Sequence, residues 1–207
     1  MHHQWPRTVW IVRHGQSAGN VARDAAELAG LPVIDIEHRD IDTPLSDLGK
    51  TQSLALGQWF GALPADSRPD VILCSPYVRA RETTRLLVGA SGIDSKSIRI
   101  RMDERLREKE FGILDRLTVH GIRQKYPELS DQRGHVGKFY FRPPGGESWC
   151  DVILRLRSVL DTISLHYSVW GVWAHGAAGR LLSRRMGMVG FLARELLAEV
   201  PGLVGRR

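Results

Sequence analysis

Short apolar runs set apart by stretches long enough for a helix constrain this chain most. Thr8-Val9-Trp10-Ile11-Val12 is β-branched and aromatic and reads as a buried strand. Asp70-Val71-Ile72-Leu73-Cys74 reads as a second, and Val169-Trp170-Gly171-Val172-Trp173-Ala174 as the last. Ile98-Arg99-Ile100-Arg101-Met102 alternates like a half-exposed strand. Helix signals fill the gaps. Ser46 stands as an N-cap, with Leu48, Ala55 and Trp59 following at helical spacing. Ser75-Pro76 opens the next helix where proline is favoured. Ser148 caps another, whose apolar stripe is Trp149, Val152, Ile153, Leu156, Leu160 and Ile163, with Asp151 at the capping-box position. Strands alternating with helices predict an α/β fold, a three-layer sandwich with a mainly parallel central sheet flanked by helices. Trp10, Trp59 and Trp149 are expected in its core.

Such sheets bind ligands at the carboxyl ends of their strands. Residues 13–20, 75–79 and 175–176 each follow a predicted strand and therefore share one rim. At 207 residues the chain suits one α/β domain over 1–207, with an atypical Arg- and Gly-rich segment at 176–207. Apolar residues make up 43% and charged ones 25%, as in ordinary globular proteins, and no apolar run could span a bilayer. The first seven residues lack an apolar leader, which predicts a cytoplasmic protein, and Cys74 and Cys150 are expected as reduced thiols. Net charge is +6, but residues 176–207 carry six Arg against two Glu and supply +4 of it. The remainder is nearly neutral, which argues against a nucleic-acid partner.

Chemistry concentrates on the rim. In Arg13-His14-Gly15-Gln16-Ser17, Gly15 permits a tight turn that brings backbone N–H groups close to an anion. Arg13 offers a planar fork for phosphate oxygens, and a neutral imidazole whose other nitrogen is held can act as a nucleophile. A lone Arg-His-Gly tripeptide is more often a capped turn beside a surface charge. Its companions change the weighing: Asn20, then Leu45-Ser46-Asp47-Leu48-Gly49, Ser75-Pro76-Tyr77-Val78-Arg79-Ala80-Arg81-Glu82-Thr83, Leu106-Arg107-Glu108-Lys109-Glu110-Phe111-Gly112, Pro144-Gly145-Gly146-Glu147-Ser148 and His175-Gly176.

In this order the set resembles the histidine phosphatase (phosphoglycerate mutase-like) superfamily over residues 8–176. The resemblance implies that His14 takes the phosphoryl group. Arg13 and Arg79 would bind its equatorial oxygens, with Gln16, Asn20 and Gly176 as further substrate contacts. His175 would be a second, cationic histidine. Glu108, four residues before Gly112, would be the proton donor, with Glu104 and Glu110 as substitutes; apart from the resemblance it reads as one solvated charge in a mixed run. Arg81 reads as a helix-surface charge, and Arg99 and Arg101 as a solvated strand face. Two Arg and a protonated His can neutralise a transferring phosphoryl group by preorganised donors, so neither metal nor cofactor is expected.

The stretch Phe139–Trp149 is similar to the matching region of fructose-2,6-bisphosphatase domains, which implies a lid over the pocket with Arg142 or Lys138 meeting a second anionic group. Residues 21–44 differ from the mutase branch and favour hydrolysis. After His175 only 32 residues remain, with helical turns expected over 177–187 and 190–199 and no evident final strand. The expected activity is thus a metal-independent phosphatase of a small phosphorylated metabolite. Phosphoglycerate mutase-type transfer and a silent phosphate-binding module stay open, as does the oligomeric state, a homodimer included. No membrane partner is expected.

Overall fold

The computed structural model describes residues 8–166 and 170–173. Four strands form one sheet: β1 (Val9–Val12), β2 (Val71–Cys74), β3 (Arg99–Met102) and β4 (Trp170–Trp173). Their order is β1-β4-β2-β3 and every pairing is parallel. The register aligns Val12 with Trp173 and Leu73 with Val172, so β1, β4 and β2 end at one rim. The helices are α1 (Ala18–Leu28), α2 (Asp47–Ala62), α3 (Val78–Ala90), α4 (Val119–Lys125), α5 (Pro127–Val136) and α6 (Trp149–His166).

Alternation along the strands feeds two separate cores. Val9 and Ile11 of β1 and Val71 and Leu73 of β2 pack with Leu106 and with Val152, Leu156, Val159 and Ile163 of α6. Trp10, Val12 and Ile72 face the other way, onto Leu56, Trp59 and Phe60 of α2 and Leu87 of α3. Helices therefore cover both faces, and the α/β three-layer sandwich expected from the sequence is the observed fold. Each fully buried apolar side chain contributes about 1.5–3 kcal/mol, and β2, buried at all four positions, anchors the stack. Trp10, Trp59 and Phe60 meet edge-on with ring centroids 5.0–5.7 Å apart, so Trp10 and Trp59 are core residues as expected.

Local signals set the helix starts. Ser46 accepts the Gly49 N–H at 3.1 Å, and Ser148 and Asp151 form the expected reciprocal capping box. Three expectations need correction. Leu48 is exposed rather than part of a buried stripe, because α2 turns Gly49, Ser53, Gly57 and Phe60 inward. Gly57 lies so close to α3 that an added Cβ would collide with the Leu87 backbone. The next helix begins at Val78, two residues after Pro76, with Tyr77 as its N-cap. All four residues of β3, one of the two edge strands, are exposed, while the preceding Ile98 enters the core. The last strand is seen over Trp170–Trp173, and the expected turns at 177–187 and 190–199 lie outside the described residues. No helix among the described residues is long and apolar enough to cross a membrane.

Candidate active site

Arg13 and His14 follow β1 directly, and the loop after them is wired to three other elements. An added Cβ on Gly15 would strike the Gly49 backbone, and one on Gly49 would strike Gln16. The loop therefore rests on the first turn of α2 through bare backbone. Gly15 N–H donates to Thr83 Oγ1 at 3.2 Å, and Gln16 N–H to Gln52 Oε1 at 2.8 Å. Ser46 N–H donates to the Gln16 carbonyl at 2.9 Å, and the Leu45 N–H to Glu82 at 2.7 Å. Thr83, Glu82, Ser46 and Gly49, conspicuous in the sequence, thus hold the turn rather than face the ligand.

This wiring sets the His14 tautomer. His14 is 9% exposed, and its Nδ1 lies 2.5 Å from the Gly15 carbonyl. A carbonyl only accepts, so Nδ1 is the nitrogen that carries a proton. Asn20 is oriented in the same way. Its Oδ1 accepts the Ser17 N–H at 3.1 Å within the capping box of α1, which makes the amide NH₂ the group available to an anion.

Arg79 stands at the second position of α3 and is 4% exposed. It donates to the Asp40 carbonyl, and its Nη2 pairs with the Asp40 carboxylate at 2.9 Å. The guanidinium also lies over the Tyr77 ring, 4.9 Å from its centroid. Burial pushes the Tyr77 phenol well above its ordinary range, with Glu110 and Asp40 adding to the rise, so it stays a donor, to Glu110 at 3.2 Å.

Glu108 comes from a separate segment, where residues 107–111 form neither helix nor strand. Its Oε1 accepts the Lys109 N–H at 2.9 Å. Beside it, Lys109 is 8% exposed and rests over Phe111 at 4.9 Å. Burial lowers the affinity of that amine for its proton; Glu147 opposes this, Arg133 adds to it, and Glu108 and Asp151 oppose it.

These residues line one cavity of about 530 Å³, the size of a small-molecule site. Arg13, His14, Asn20, Arg79 and Glu108 all open onto it. Seven basic side chains (Arg13, Arg23, Arg79, Lys109, Arg116, Arg133, Lys138) face four carboxylates there (Glu27, Asp40, Glu108, Asp115), which favours an anionic occupant. A second hollow of about 380 Å³ shares Val119, Ile122, Arg133 and Lys138 with the first and adds Arg123 without any carboxylate. Trp149, a core residue by expectation, packs on the α6 core and also lines the cavity.

Not every expected contact gathers here. Gln16 is absent from the lining, because its side chain is held by Ser46 Oγ at 2.7 Å. Arg142 points to Asp151, with Nε to Oδ2 at 2.9 Å, and leaves Lys138 as the basic residue of that stretch on the cavity. Glu104 and Glu110 do not line the cavity either, whereas Glu108 does. Arg81, Arg99 and Arg101 are exposed as expected. His175 and Gly176 lie outside the described residues. Sequence reasoning missed Asp40 and Lys109. Asp40 had no local signal, while Lys109 could have been found from its place beside Glu108. Among the described residues no three His, Cys, Asp or Glu side chains cluster as a metal site.

Residues 9–193 match the model of the histidine phosphatase superfamily (branch 1). A 6-phosphofructo-2-kinase/fructose-2,6-bisphosphatase of Caenorhabditis elegans is 31% identical over 76% of this chain and 29% of its own length. A phosphoglycerate mutase-like protein of Arabidopsis thaliana is 30% identical over 76% of this chain and 53% of its own. The chain thus spans about half or less of the length of these curated relatives. Among solved structures, a mycobacterial glucosyl-3-phosphoglycerate phosphatase superposes with a TM-score of 0.60 at 27% identity, over 85% of this chain and 78% of that one. The α-ribazole phosphatase of Shigella flexneri, at 22% identity, shares the fold with a TM-score of 0.67 over 87% and 80%.

Proposed function

Because the chain belongs to the histidine phosphatase superfamily, branch 1, we propose that it hydrolyses a small phosphomonoester through a phosphorylated His14, without a metal ion. The observation that carries this reading is the Nδ1–Gly15 carbonyl bond, which fixes the tautomer and orientation of a buried histidine on the wall of a basic cavity. In the first step Nε2 attacks phosphorus and the ester oxygen leaves. Arg13, Arg79 and the Asn20 amide stabilise the equatorial oxygens, where the charge of the transition state is spread. Glu108 gives its proton to the departing alkoxide. In the second step it takes a proton from water, whose oxygen displaces His14 and releases phosphate. His175 is assigned the further cation by resemblance alone.

The basic hollow bearing Arg123, Arg133 and Lys138 favours a substrate with a second anionic group. A relative named as fructose-2,6-bisphosphatase and a structural neighbour named as glucosyl-3-phosphoglycerate phosphatase act on such compounds. Mutase-type transfer is a second reading, supported by a 2,3-bisphosphoglycerate-dependent mutase relative, 28% identical over 97% of the chain. A silent phosphate-binding module is a third, favoured by the Asp40 carboxylate already seated on Arg79.

The test is phosphate release from p-nitrophenyl phosphate in excess EDTA, with His14→Ala alongside. The native chain should turn over and the variant should lose at least about a thousandfold. Trapped phosphoprotein should be labile to acid and stable to alkali, as a phosphoramidate is. Release that survives in His14→Ala, or that EDTA abolishes, overturns the reading. Exchange dependent on bisphosphoglycerate without net release favours the mutase.

A further inference from the structure

Glu108 stands on a segment without regular structure, yet an acid that must reach a leaving oxygen needs its carboxyl placed within a fraction of an ångström. What places it comes from α6. Arg155, 10% exposed, sends Nη1 to the Arg105 carbonyl at 2.6 Å and Nη2 to the Glu108 carbonyl at 3.1 Å. The same guanidinium meets both oxygens of Glu147 at 3.0 Å. Glu147, 13% exposed, accepts the Glu110 N–H at 3.1 Å and the Arg107 Nη2 at 2.7 Å. Its own N–H donates to the Glu110 carbonyl at 3.0 Å. One part-buried ion pair thus grips the backbone at residues 105, 108 and 110. Leu106, fully buried, pins the same segment to the α6 core.

Packing alone does not call for this arrangement. An ion pair mostly withdrawn from water is an expensive way to gain stability, since well-packed apolar residues of similar volume can do as well. What an apolar pair lacks is the ability to hold three backbone polar groups at fixed points. We infer that Arg155 and Glu147 are positioning residues that set the Glu108 carboxyl against the leaving group and so govern proton delivery in the proposed hydrolysis. The inference rests on that reading, in which Glu108 is the acid.

The experiment compares an aryl ester, p-nitrophenyl phosphate, with an alkyl ester, glycerol 2-phosphate, because only the alkoxide needs a proton to leave. Arg155→Lys, and independently Glu147→Gln, should slow the alkyl ester about ten- to a hundredfold more than the aryl ester, chiefly in kcat. Arg155→Lys combined with Glu108→Gln should be no slower on the alkyl ester than Glu108→Gln alone. Thermal melts identify any variant that fails to fold, and Glu147→Gln decides if Arg155→Lys does. Equal slowing of both esters by the brace variants, or additive losses in the double variant, overturns the inference while Glu108→Gln still discriminates between esters. If Glu108→Gln itself slows both equally, the acid assignment falls first, and the brace falls with it.

Discussion

The wall that carries His14 is held mostly by backbone and small polar groups, with Glu82 as its one carboxylate among the contacts described, whereas the wall that carries Glu108 is held by charge. On the first, Gly15 lies on the backbone of Gly49, Thr83 and Ser46 take up loop polar groups, and Asn20 closes a cap. On the second, Arg155, Glu147 and Arg107 reach across up to 50 residues of sequence to fix a segment with no ladder of its own. Contact through bare backbone tolerates no added atom but is indifferent to pH. Contact through ion pairs tolerates small changes of shape but answers to protonation. A histidine proposed as nucleophile, whose tautomer depends on one carbonyl, suits the first kind of support, and a carboxyl proposed to gain and lose a proton suits the second.

The sharpest way to break this comparison is Gly49→Ala. Alanine would gain about 1 kcal/mol of helix propensity, yet its Cβ would sit inside the Gln16 backbone. The collision wins: we expect a net loss of about 2–3 kcal/mol, a melting temperature lower by roughly 4–12 °C and little remaining turnover. A variant as stable and active as the native chain would show that the loop moves aside freely.

Acid should separate the walls less drastically. Burial alone would raise the Glu147 carboxyl, but the Arg155 hydrogen bond, the Glu110 N–H and the charges of Arg155 and Arg107 outweigh it and leave it below its ordinary 4.5. A depressed carboxyl contributes stability that is fully present above 4.5 and is lost as pH falls through its folded value. Thermal melts between about pH 6 and pH 3 should therefore fall less steeply for Glu147→Gln than for the native chain. Part of the fall should persist, because Asp103 and Asp151 are depressed too: Asp103 by Arg105 against the opposing effect of its burial, and Asp151 chiefly by its hydrogen bond from Ser148. Parallel profiles would remove Glu147 from the acid response.

The smallest effect should come from Arg142→Ala. Its partner Asp151 is shared with the Ser148 cap, and the Arg142 side chain is 62% exposed. An exposed pair of this kind is worth roughly 0–1 kcal/mol. Unchanged kcat/KM on an anionic substrate would agree with its place off the cavity, and a marked rise in KM would return it to the ligand.

On the His14 wall the strand end, the turn glycine and the cap at Ser46 were legible because each acts within a few residues, whereas the ties of the loop to Thr83 and Gln52, 68 and 36 residues away, were not. Nor does any spacing announce that Arg155 will meet the carbonyls of Arg105 and Glu108. Asp40 escaped for the same reason, being tied to Arg79 across 39 residues. The face of α2 was misread on different grounds. Its contact with α3 is made through Gly57 and Gly61, which carry no apolar signal, while Leu48 carries one and faces out. On β3, alternation of Ile and Arg suggested one covered face, but Ile100 and Met102 are about half exposed.

The strand order has a consequence for how the protein is made. Among the described residues, β1 pairs only with β4, and β4 also separates it from β2. During synthesis from the N-terminus, the strand that presents His14 waits some 160 residues for its only partner in the sheet, the residues at 170–173. Until these emerge from the ribosome, the nascent chain can collapse around α2 and α3 but cannot close the sheet beneath His14. If His14 is the nucleophile we propose, every copy still lacking residues 170–173 holds it on a strand without its sheet neighbour.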